Sequence, residues 1–236
     1  MLKRLLLGAA MLAIPACASM DTPVATAPQG PAKVVIVGDS ISLGLGAMGA
    51  SQDCDLTPQN SSLKATYGAQ IAQTLGTDYL LYAWPGAGLV RNYADSRSDT
   101  ISVHMQKLDA SHTFDKTGPV QLVLINVGTH DFYQHDATDA FVPAMEDLLT
   151  RMAGHYPDAT IYALTGPMLA GKDSAFLDQA VRNAVDTVNE TRGTHIRYLA
   201  LNSGDPSVAF GCQWHPSLPA HEHMAEMILE DMKAAE

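Results

Sequence analysis

The chain has 236 residues, of which 47% are hydrophobic and 17% are charged. It carries 25 acidic and 14 basic residues, so its formal net charge is −11 at pH 7. Without the basic residues Lys3 and Arg4 near its start, the charge becomes −13. An acidic domain of this kind is a poor partner for nucleic acid or an anionic membrane surface, and it suits a neutral substrate.

The N-terminal segment has the form of a secretory signal in residues 1–18. A positively charged start precedes an apolar run that is too short to span a bilayer, and small residues follow. Cleavage after Ala18 and attachment of lipid to Cys17 both fit this segment. Residues 19–32, rich in Pro, Thr and Ala, predict a flexible tether. We therefore expect an exported protein, whether periplasmic, lipid-anchored or extracellular.

Short apolar runs with few charges alternate with amphipathic segments in residues 33–236. The runs predict five strands, at Lys33–Val37, Tyr79–Ala83, Gln121–Val127, Thr160–Leu164 and Ile196–Leu201. Helical periodicity predicts helices at Ser62–Leu75, Ala137–His155, Ser174–Thr191 and Pro219–Ala234. Alternation of strands and helices implies right-handed crossovers. The expected fold is α/β, a three-layer α/β/α domain around a doubly wound, parallel, five-stranded sheet.

Reactive groups in such a sheet gather beyond the carboxyl ends of its strands. Three loops directly follow predicted strands: Gly-Asp-Ser at 38–40, Trp-Pro-Gly-Ala-Gly at 84–88 and Gly-Thr-His-Asp at 128–131. Near the C-terminus stands Gly-Cys-Gln-Trp-His-Pro, at 211–216. A serine hydroxyl attacks a carbonyl only when a neighbouring base removes its proton. Ser40 and His215 are therefore the candidate nucleophile and base of covalent acyl transfer.

In this order, the four segments resemble the SGNH (GDSL-type) hydrolases, a superfamily with a flavodoxin-like fold. The resemblance runs from Val34 to about Ala225. It implies that Ser40 is the nucleophile and that its backbone N–H is one oxyanion donor. It further implies that Gly86 supplies a second N–H and that His215 is the general base. The usual third donor is an Asn, and His130 stands in its place, where a neutral imidazole can still donate one N–H.

Closer similarity is to carbohydrate esterase family 2, whose members remove acetyl groups from plant polysaccharides. It rests on four stretches, Tyr-Gly-Ala at 67–69, Ala-Trp-Pro-Gly-Ala-Gly-Leu-Val-Arg-Asn-Tyr at 83–93, Ile-Asn-Val-Gly-Thr-His-Asp-Phe at 125–132 and Gly-Cys-Gln-Trp-His-Pro-Ser at 211–217. Cys54 and Cys212 fall where that family tends to have cysteines. An even pair in an exported protein suggests a disulfide, with two separate buried thiols as the alternative.

The chain departs from the family pattern around its candidate base. The family commonly has Asp two residues before the histidine, where Gln213 stands here, and Cys212 offers no carboxylate either. We expect His215 to be oriented by a backbone carbonyl or by the Gln213 side-chain oxygen, which leaves a Ser–His dyad. Asp39 and Asp131 are expected to support the site. The family's usual N-terminal β-sandwich cannot fit in the tether, which argues for a smaller substrate or looser glycan recognition.

The favoured interpretation is a secreted or envelope serine esterase that hydrolyses short acyl esters, in particular acetyl esters, on carbohydrate. Trp84 and Trp214 are the candidate sugar-stacking side chains. The alternatives are a lipid or aryl esterase of the same superfamily and a non-catalytic glycan-binding protein. We expect a monomer with no cofactor and no metal, whose partner is a small acylated substrate such as an acetylated sugar. Membrane contact is expected only through a lipid on Cys17.

Overall fold

The computed structural model of the chain describes residues 34–111 and 119–234. Its strands are β1 (Val34–Gly38), β2 (Tyr79–Ala83), β3 (Leu122–Asn126), β4 (Thr160–Thr165) and β5 (Arg197–Ala200). All neighbours pair in parallel, in the order β2-β1-β3-β4-β5. The predicted doubly wound, five-stranded sheet is confirmed, with strand ends that differ by no more than one residue. The predicted signal and tether lie outside the described residues.

Six α-helices connect or follow the described strands. They are α1 (Tyr67–Thr74), α2 (Ile101–Ala110), α3 (Thr129–Phe132), α4 (Thr138–His155), α5 (Gly171–Arg192) and α6 (Leu218–Lys233). Three of the four predicted helices match α4, α5 and α6. The prediction of one helix from Ser62 was wrong, because Leu63–Ala65 is a separate 3-10 turn and the Thr66 hydroxyl caps α1 by accepting the Ala69 N–H. None of the described helices has the length and apolarity to cross a bilayer.

Two helices were missing from the sequence-based prediction for physical reasons. Helix α2 buries only Ile101 and Met105, so its apolar stripe is too weak to show as a period. Helix α3 has four residues, fewer than a periodic pattern needs. Both follow strands whose loops belong to the candidate site, so the missing elements lie where the site is built.

The sheet divides the core into two layers. Alternate residues of β1 point to opposite faces: Val35 and Val37 join the layer under α4 and α5, while Val34 and Ile36 join the layer under α1 and α6. Every residue of β1 is buried, as expected for a central strand of a parallel sheet that is covered on both faces.

The register of the strands places the loops that follow β1, β2 and β3 side by side at one edge of the sheet. Gly38 is paired with Ala83 of β2 and with Asn126 of β3, so the chain leaves these three strands side by side. A Cβ at Gly38 would lie 2.1 Å from Oγ of Ser42 and 3.1 Å from the Asn126 carbonyl oxygen. The last residue of β1 must therefore be glycine for the following turn to pack.

His221 is a fully buried histidine of α6 that lies against α1. Its Nδ1 accepts a hydrogen bond from the Tyr67 backbone N–H at 3.2 Å, and the two rings stack with centroids 6.1 Å apart. Burial lowers the pKa of His221 to about 3, and the positive charge of His215 lowers it as well. The folded chain therefore holds this imidazole in its neutral form.

We expect His221 to make the fold acid-sensitive. Its folded pKa lies below the unfolded value of 6.5, so the contribution is constant above pH 6.5 and is lost progressively as pH falls toward 3. His221→Asn keeps an acceptor for the Tyr67 N–H and cannot titrate. Urea midpoints measured from about pH 7 to pH 4.5 should therefore fall less in this variant than in the wild type. His223→Asn, on the same helix, is the control, and equal slopes for all three proteins would contradict the assignment.

Candidate active site

Ser40 and His215 lie in contact at the carboxyl edge of the sheet. Ser40 is the second residue after β1, and its Oγ is 2.8 Å from Nε2 of His215. The other ring nitrogen, Nδ1, lies 3.2 Å from the carbonyl oxygen of Cys212. A carbonyl can only accept, so Nδ1 carries the proton and Nε2 presents a lone pair to the serine hydroxyl. The hydrogen-bond reach that the sequence predicts for this pair is present.

A tight turn from Cys212 to His215 orients the imidazole. The Cys212 carbonyl accepts both the backbone N–H and the ring Nδ1–H of His215, each at 3.2 Å. Gln213 and Trp214 between them have positive φ angles of 50° and 63°. The Gln213 side chain is exposed, so of the two predicted orienting groups the structure provides the backbone carbonyl and not the Gln213 amide oxygen.

Several groups set the pKa of His215. Burial lowers it below its ordinary value, while the Cys212 carbonyl, the negative charge of Asp39 and the Gln213 carbonyl raise it in decreasing order. Nearby His130 lowers it further. The net direction is downward, so the ring is a neutral base at neutral pH.

A disulfide joins Cys54 to Cys212, with Cα atoms 4.7 Å apart, inside the usual range of 4.4–6.8 Å. It ties the segment after the candidate nucleophile to the turn that carries the candidate base. Gly49 passes so close that a Cβ there would lie 2.4 Å from Sγ of Cys212, and the Cys212 N–H donates to the Gly46 carbonyl at 3.1 Å. These contacts hold in place the carbonyl that orients His215.

Asp39 is a fully buried carboxyl beside the candidate nucleophile. Its Oδ1 accepts the Ile41 N–H at 2.9 Å, which braces the turn that carries Ser40. Burial raises the pKa of Asp39 to about 6, and the Ile41 N–H, the positive charge of His215 and the Thr129 hydroxyl lower it. Asp39 thus places negative charge near His215, the candidate base, in a chain that has no acidic residue at positions 212 and 213.

Asp131 holds the loop after β2 against α3. Its buried carboxylate accepts three consecutive backbone N–H groups, those of Leu89, Val90 and Arg91, at 2.7, 2.8 and 2.9 Å. A Cβ on Gly88 would lie 2.5 Å from Oδ2 of Asp131, so only glycine allows this approach. The Arg91 guanidinium also donates to the backbone carbonyl of His130 at 2.8 Å. Gly86 and His130 therefore sit on segments that are fastened to each other.

Three hydrogen-bond donors at this edge are left unused by the fold. No hydrogen bond among the described residues uses the N–H of Ser40 or of Gly86. Nε2 of His130 is buried and has no partner within the described part of the chain. Burial lowers the pKa of His130, so its ring is neutral and able to donate from one nitrogen. These are the three groups that the sequence predicts as oxyanion donors.

Aromatic side chains surround the candidate site unequally. Trp214 is 57% exposed and Tyr93 is 66% exposed, and Tyr93 meets the His130 ring edge-on at 5.8 Å. Trp84 is half-buried and stacks on His104, with ring centroids 4.5 Å apart and planes 4° from parallel. Of the two predicted sugar-stacking residues, only Trp214 stands open to solvent. Tyr93 was not among the candidate residues, although it ends the family-like string at 83–93.

Acidic and imidazole side chains do not gather into a metal centre in residues 34–111 and 119–234. No group of three or more His, Cys, Asp or Glu in these ranges has the arrangement to hold a metal ion.

Comparison with known proteins agrees with this geometry. The chain is 31% identical over 206 residues to the cellulase/esterase CelE of Acetivibrio thermocellus, covering 85% of this chain and 25% of that protein. It is 24% identical to an acetylxylan esterase / glucomannan deacetylase of Cellvibrio japonicus, covering 87% of this chain and 60% of the relative. The chain thus spans a quarter of the first relative's length and 60% of the second's.

Solved structures that resemble this chain include carbohydrate esterases of family two. A family two carbohydrate esterase from Clostridium thermocellum, in complex with cellohexaose, superposes with a TM-score of 0.79 at 30% identity. The match covers 87% of this chain and 65% of that chain. The GDSL-like Lipase/Acylhydrolase family matches residues 36–231, which include every candidate site residue. The similarity to SGNH hydrolases and to family 2 carbohydrate esterases is confirmed, and the chain belongs to the GDSL-like Lipase/Acylhydrolase family.

Proposed function

We propose that the chain is a serine esterase that removes short acyl groups, in particular acetyl, from carbohydrate. The observation that carries the proposal is the 2.8 Å contact between Ser40 Oγ and a His215 ring whose Nδ1 faces a carbonyl. Family membership supports ester hydrolysis, and the relatives named above support a carbohydrate as the acyl-bearing partner.

The proposed reaction passes through an acyl-enzyme. Nε2 of His215 takes the Ser40 proton as Oγ bonds to the ester carbonyl carbon, whose π electrons move onto oxygen. When the carbonyl re-forms, the bond to the sugar oxygen breaks, and that oxygen takes the proton from Nε2. Water then enters, gives a proton to His215 and attacks the acyl-Ser40 carbonyl. Collapse returns the proton to Ser40 and releases the carboxylic acid.

Charge develops at two places during these steps. On the acyl oxygen, it would be met by the unused donors of Ser40, Gly86 and His130, each of which is worth about 2.7–4 kcal/mol at such a position. On the His215 imidazolium, it would be met by the Cys212 carbonyl and by the negative charge of Asp39. This arrangement replaces the acid of a full triad with a neutral acceptor and a more remote anion.

The aromatic rim supports a sugar as the leaving group. Trp214 and Tyr93 present exposed rings near the proposed chemistry, since Trp214 directly precedes the base in the chain and Tyr93 contacts His130. Aromatic rings next to polar groups commonly bind ligands that have one apolar face and one face exposed to water. The signal-like N-terminus supports export, with lipid attachment at Cys17 or release after cleavage, and a disulfide fits an oxidising compartment.

The acyl preference tests the proposed function. The wild type should hydrolyse the p-nitrophenyl ester of acetate much faster than those of longer acids. Ser40→Ala should lose more than about 10³-fold in kcat/KM, because no other group supplies the nucleophile. Ser42→Ala, a second buried serine two residues away, is the control and should keep most activity. A preference for long chains would indicate a lipid or aryl esterase, and no hydrolysis by the wild type would indicate a glycan-binding protein.

His130 should act as an oxyanion donor. His130→Ala should lower kcat about 10²-fold with little change in KM, because the oxyanion forms only in the transition state. His130→Asn restores a donor at this position and should retain or raise activity. Hydrolysis of acetyl esters by His130→Ala at the wild-type rate would remove this role and leave the backbone N–H groups of Ser40 and Gly86 alone.

The disulfide should control activity as well as stability, because Cys212 is both a bridge residue and the acceptor for His215. Cys54→Ser leaves Cys212 in place and should reduce the free energy of unfolding by about 2–4 kcal/mol. It should also lower kcat more than it raises KM, since the base loses its fixed orientation. Dithiothreitol should have the same effect on the wild type and none on Cys54→Ser. A reduced wild type with full kcat would show that the turn holds without the bridge.

A further inference from the structure

Helix α3 is only four residues long, so its carbonyl groups need hydrogen-bond donors from outside the helix. In a longer helix, the N–H of Gln134 would donate to the carbonyl of His130. Gln134 instead has a positive φ of 54° and donates its N–H to Oδ2 of Asp173 at 2.8 Å. The Arg91 guanidinium takes its place, because Nη1 donates to the His130 carbonyl oxygen at 2.8 Å. A side chain from the loop after β2 therefore holds the backbone of His130.

Arg91 is itself held in position by two further contacts. Its side chain is only 15% exposed, and Nε donates to Oδ1 of Asp95 at 2.8 Å. Its backbone N–H donates to the carboxylate of Asp131 at 2.9 Å. Arg91 thus contacts α3 twice, with its main chain at Asp131 and with its side chain at His130. A substitution of the side chain leaves the main-chain contact with Asp131 in place.

The positive charge of Arg91 also acts on the imidazole of His130. Burial is the main cause that lowers the pKa of His130, the adjacent carboxylate of Asp131 raises it, and the guanidinium of Arg91 lowers it. Within the described part of the chain, these two are the charged groups that shift the pKa of this ring. Arg91 therefore opposes the one group that favours protonation of His130.

The charge of His130 matters because the candidate base lies nearby. His130 lowers the pKa of His215, so a positive charge on His130 would oppose the transfer of the Ser40 proton to His215. The asparagine that the family usually has at this position cannot titrate, whereas an imidazole can. A chain with histidine here therefore needs a group that keeps the ring neutral as well as one that fixes its position.

We propose that Arg91 is a positioning residue for the esterase reaction, which fixes the backbone of His130 and favours the uncharged form of its ring. The proposal rests on the proposed function in one respect, namely that His130 donates to the oxyanion. Arg91 does not touch the reacting atoms and acts only through His130. Its loss weakens one oxyanion donor and leaves the backbone N–H groups of Ser40 and Gly86 unchanged.

Four variants separate this role from other roles of the arginine. Arg91→Gln removes the charge and shortens the side chain, and Arg91→Lys keeps the charge. Asp95→Asn breaks the ion pair with Arg91 but leaves the contact with His130, and asparagine tolerates the positive φ of 59° at that position. Arg97→Gln removes a positive charge from an exposed position of the same loop and is the matched control. Far-UV circular dichroism and thermal melting verify that each variant is folded.

The first measurement is the hydrolysis of p-nitrophenyl acetate. Arg91→Gln should lower kcat about tenfold with little change in KM, because an oxyanion donor acts only in the transition state. Asp95→Asn and Arg97→Gln should retain the wild-type kcat, and Arg91→Lys should recover most of it. In a His130→Ala background, Arg91→Gln should cause no further loss, since no side chain remains to be positioned. A wild-type kcat in Arg91→Gln, or a full tenfold loss in the His130→Ala background, overturns the proposal.

The second measurement does not depend on activity. NMR titration of the His130 imidazole should give a higher pKa in Arg91→Gln than in the wild type, because the positive charge that lowers it is gone. Arg91→Lys should reverse most of this shift, and Arg97→Gln should leave the pKa unchanged. An unchanged pKa in Arg91→Gln overturns the role of Arg91 and leaves the proposed function in place. A shifted pKa in a chain that hydrolyses no ester removes the proposed function, and the catalytic role of Arg91 fails with it.

Discussion

The hydrogen bond from His215 Nδ1 to the Cys212 carbonyl determines what the rest of the site can do. It fixes the tautomer, points the Nε2 lone pair at Ser40, and does so with a neutral acceptor. Much of the surrounding structure serves to hold that carbonyl: the disulfide to Cys54, the close passage of Gly49 and the backbone bond to Gly46 all converge on Cys212. The fixed position of the Cys212 carbonyl thus orients the imidazole and sets its tautomer, which is part of the role of the aspartate in a Ser-His-Asp triad.

The second constraint is a carboxyl group, that of Asp39, which is fully buried and still carries negative charge. Asp39 is fully enclosed yet retains enough negative charge to raise the pKa of His215, while burial and His130 lower it. Charges interact more strongly in a low-dielectric interior than in water, so a carboxylate that does not touch the imidazole still acts on it. In the proposed reaction, His215 must be neutral before it takes the Ser40 proton and must carry a positive charge afterwards, and these opposing effects on its pKa serve both states.

The fold was largely readable from the sequence because it depends on apolar runs that are local and strong. Apolar runs in the sequence predict all five strands, and helical periodicity predicts helices α4 to α6. The register of the strands then places residues 38, 83 and 126 side by side. Ser40 and His215 followed from motif order, and the cysteine pair followed from an even cysteine count and from the family resemblance. Helix α2 could not be predicted, because it buries only two side chains.

Other features of the site depend on long-range contacts that no local pattern carries. The sequence around Asp131 does not indicate that its carboxylate accepts hydrogen bonds from three backbone N–H groups about 40 positions earlier in the chain. Contacts such as those of Asp131 are decided by tertiary packing and not by composition or period. The choice between the Cys212 carbonyl and the Gln213 side chain was open for a different reason: the contact is local, but it depends on positive φ angles at two non-glycine residues, which the sequence does not indicate.

The two left-handed residues before His215 have a consequence for how this protein can change. A non-glycine residue in that conformation costs about 1–2 kcal/mol, so glycine at position 213 or 214 would relax the turn and make the fold more robust. Position 214 instead presents an indole to solvent beside the reactive pair. Selection for thermal stability would therefore favour glycine at this position, whereas the proposed contact of the ring with a sugar requires the tryptophan. Laboratory evolution under heat alone should drift toward loss of that ring.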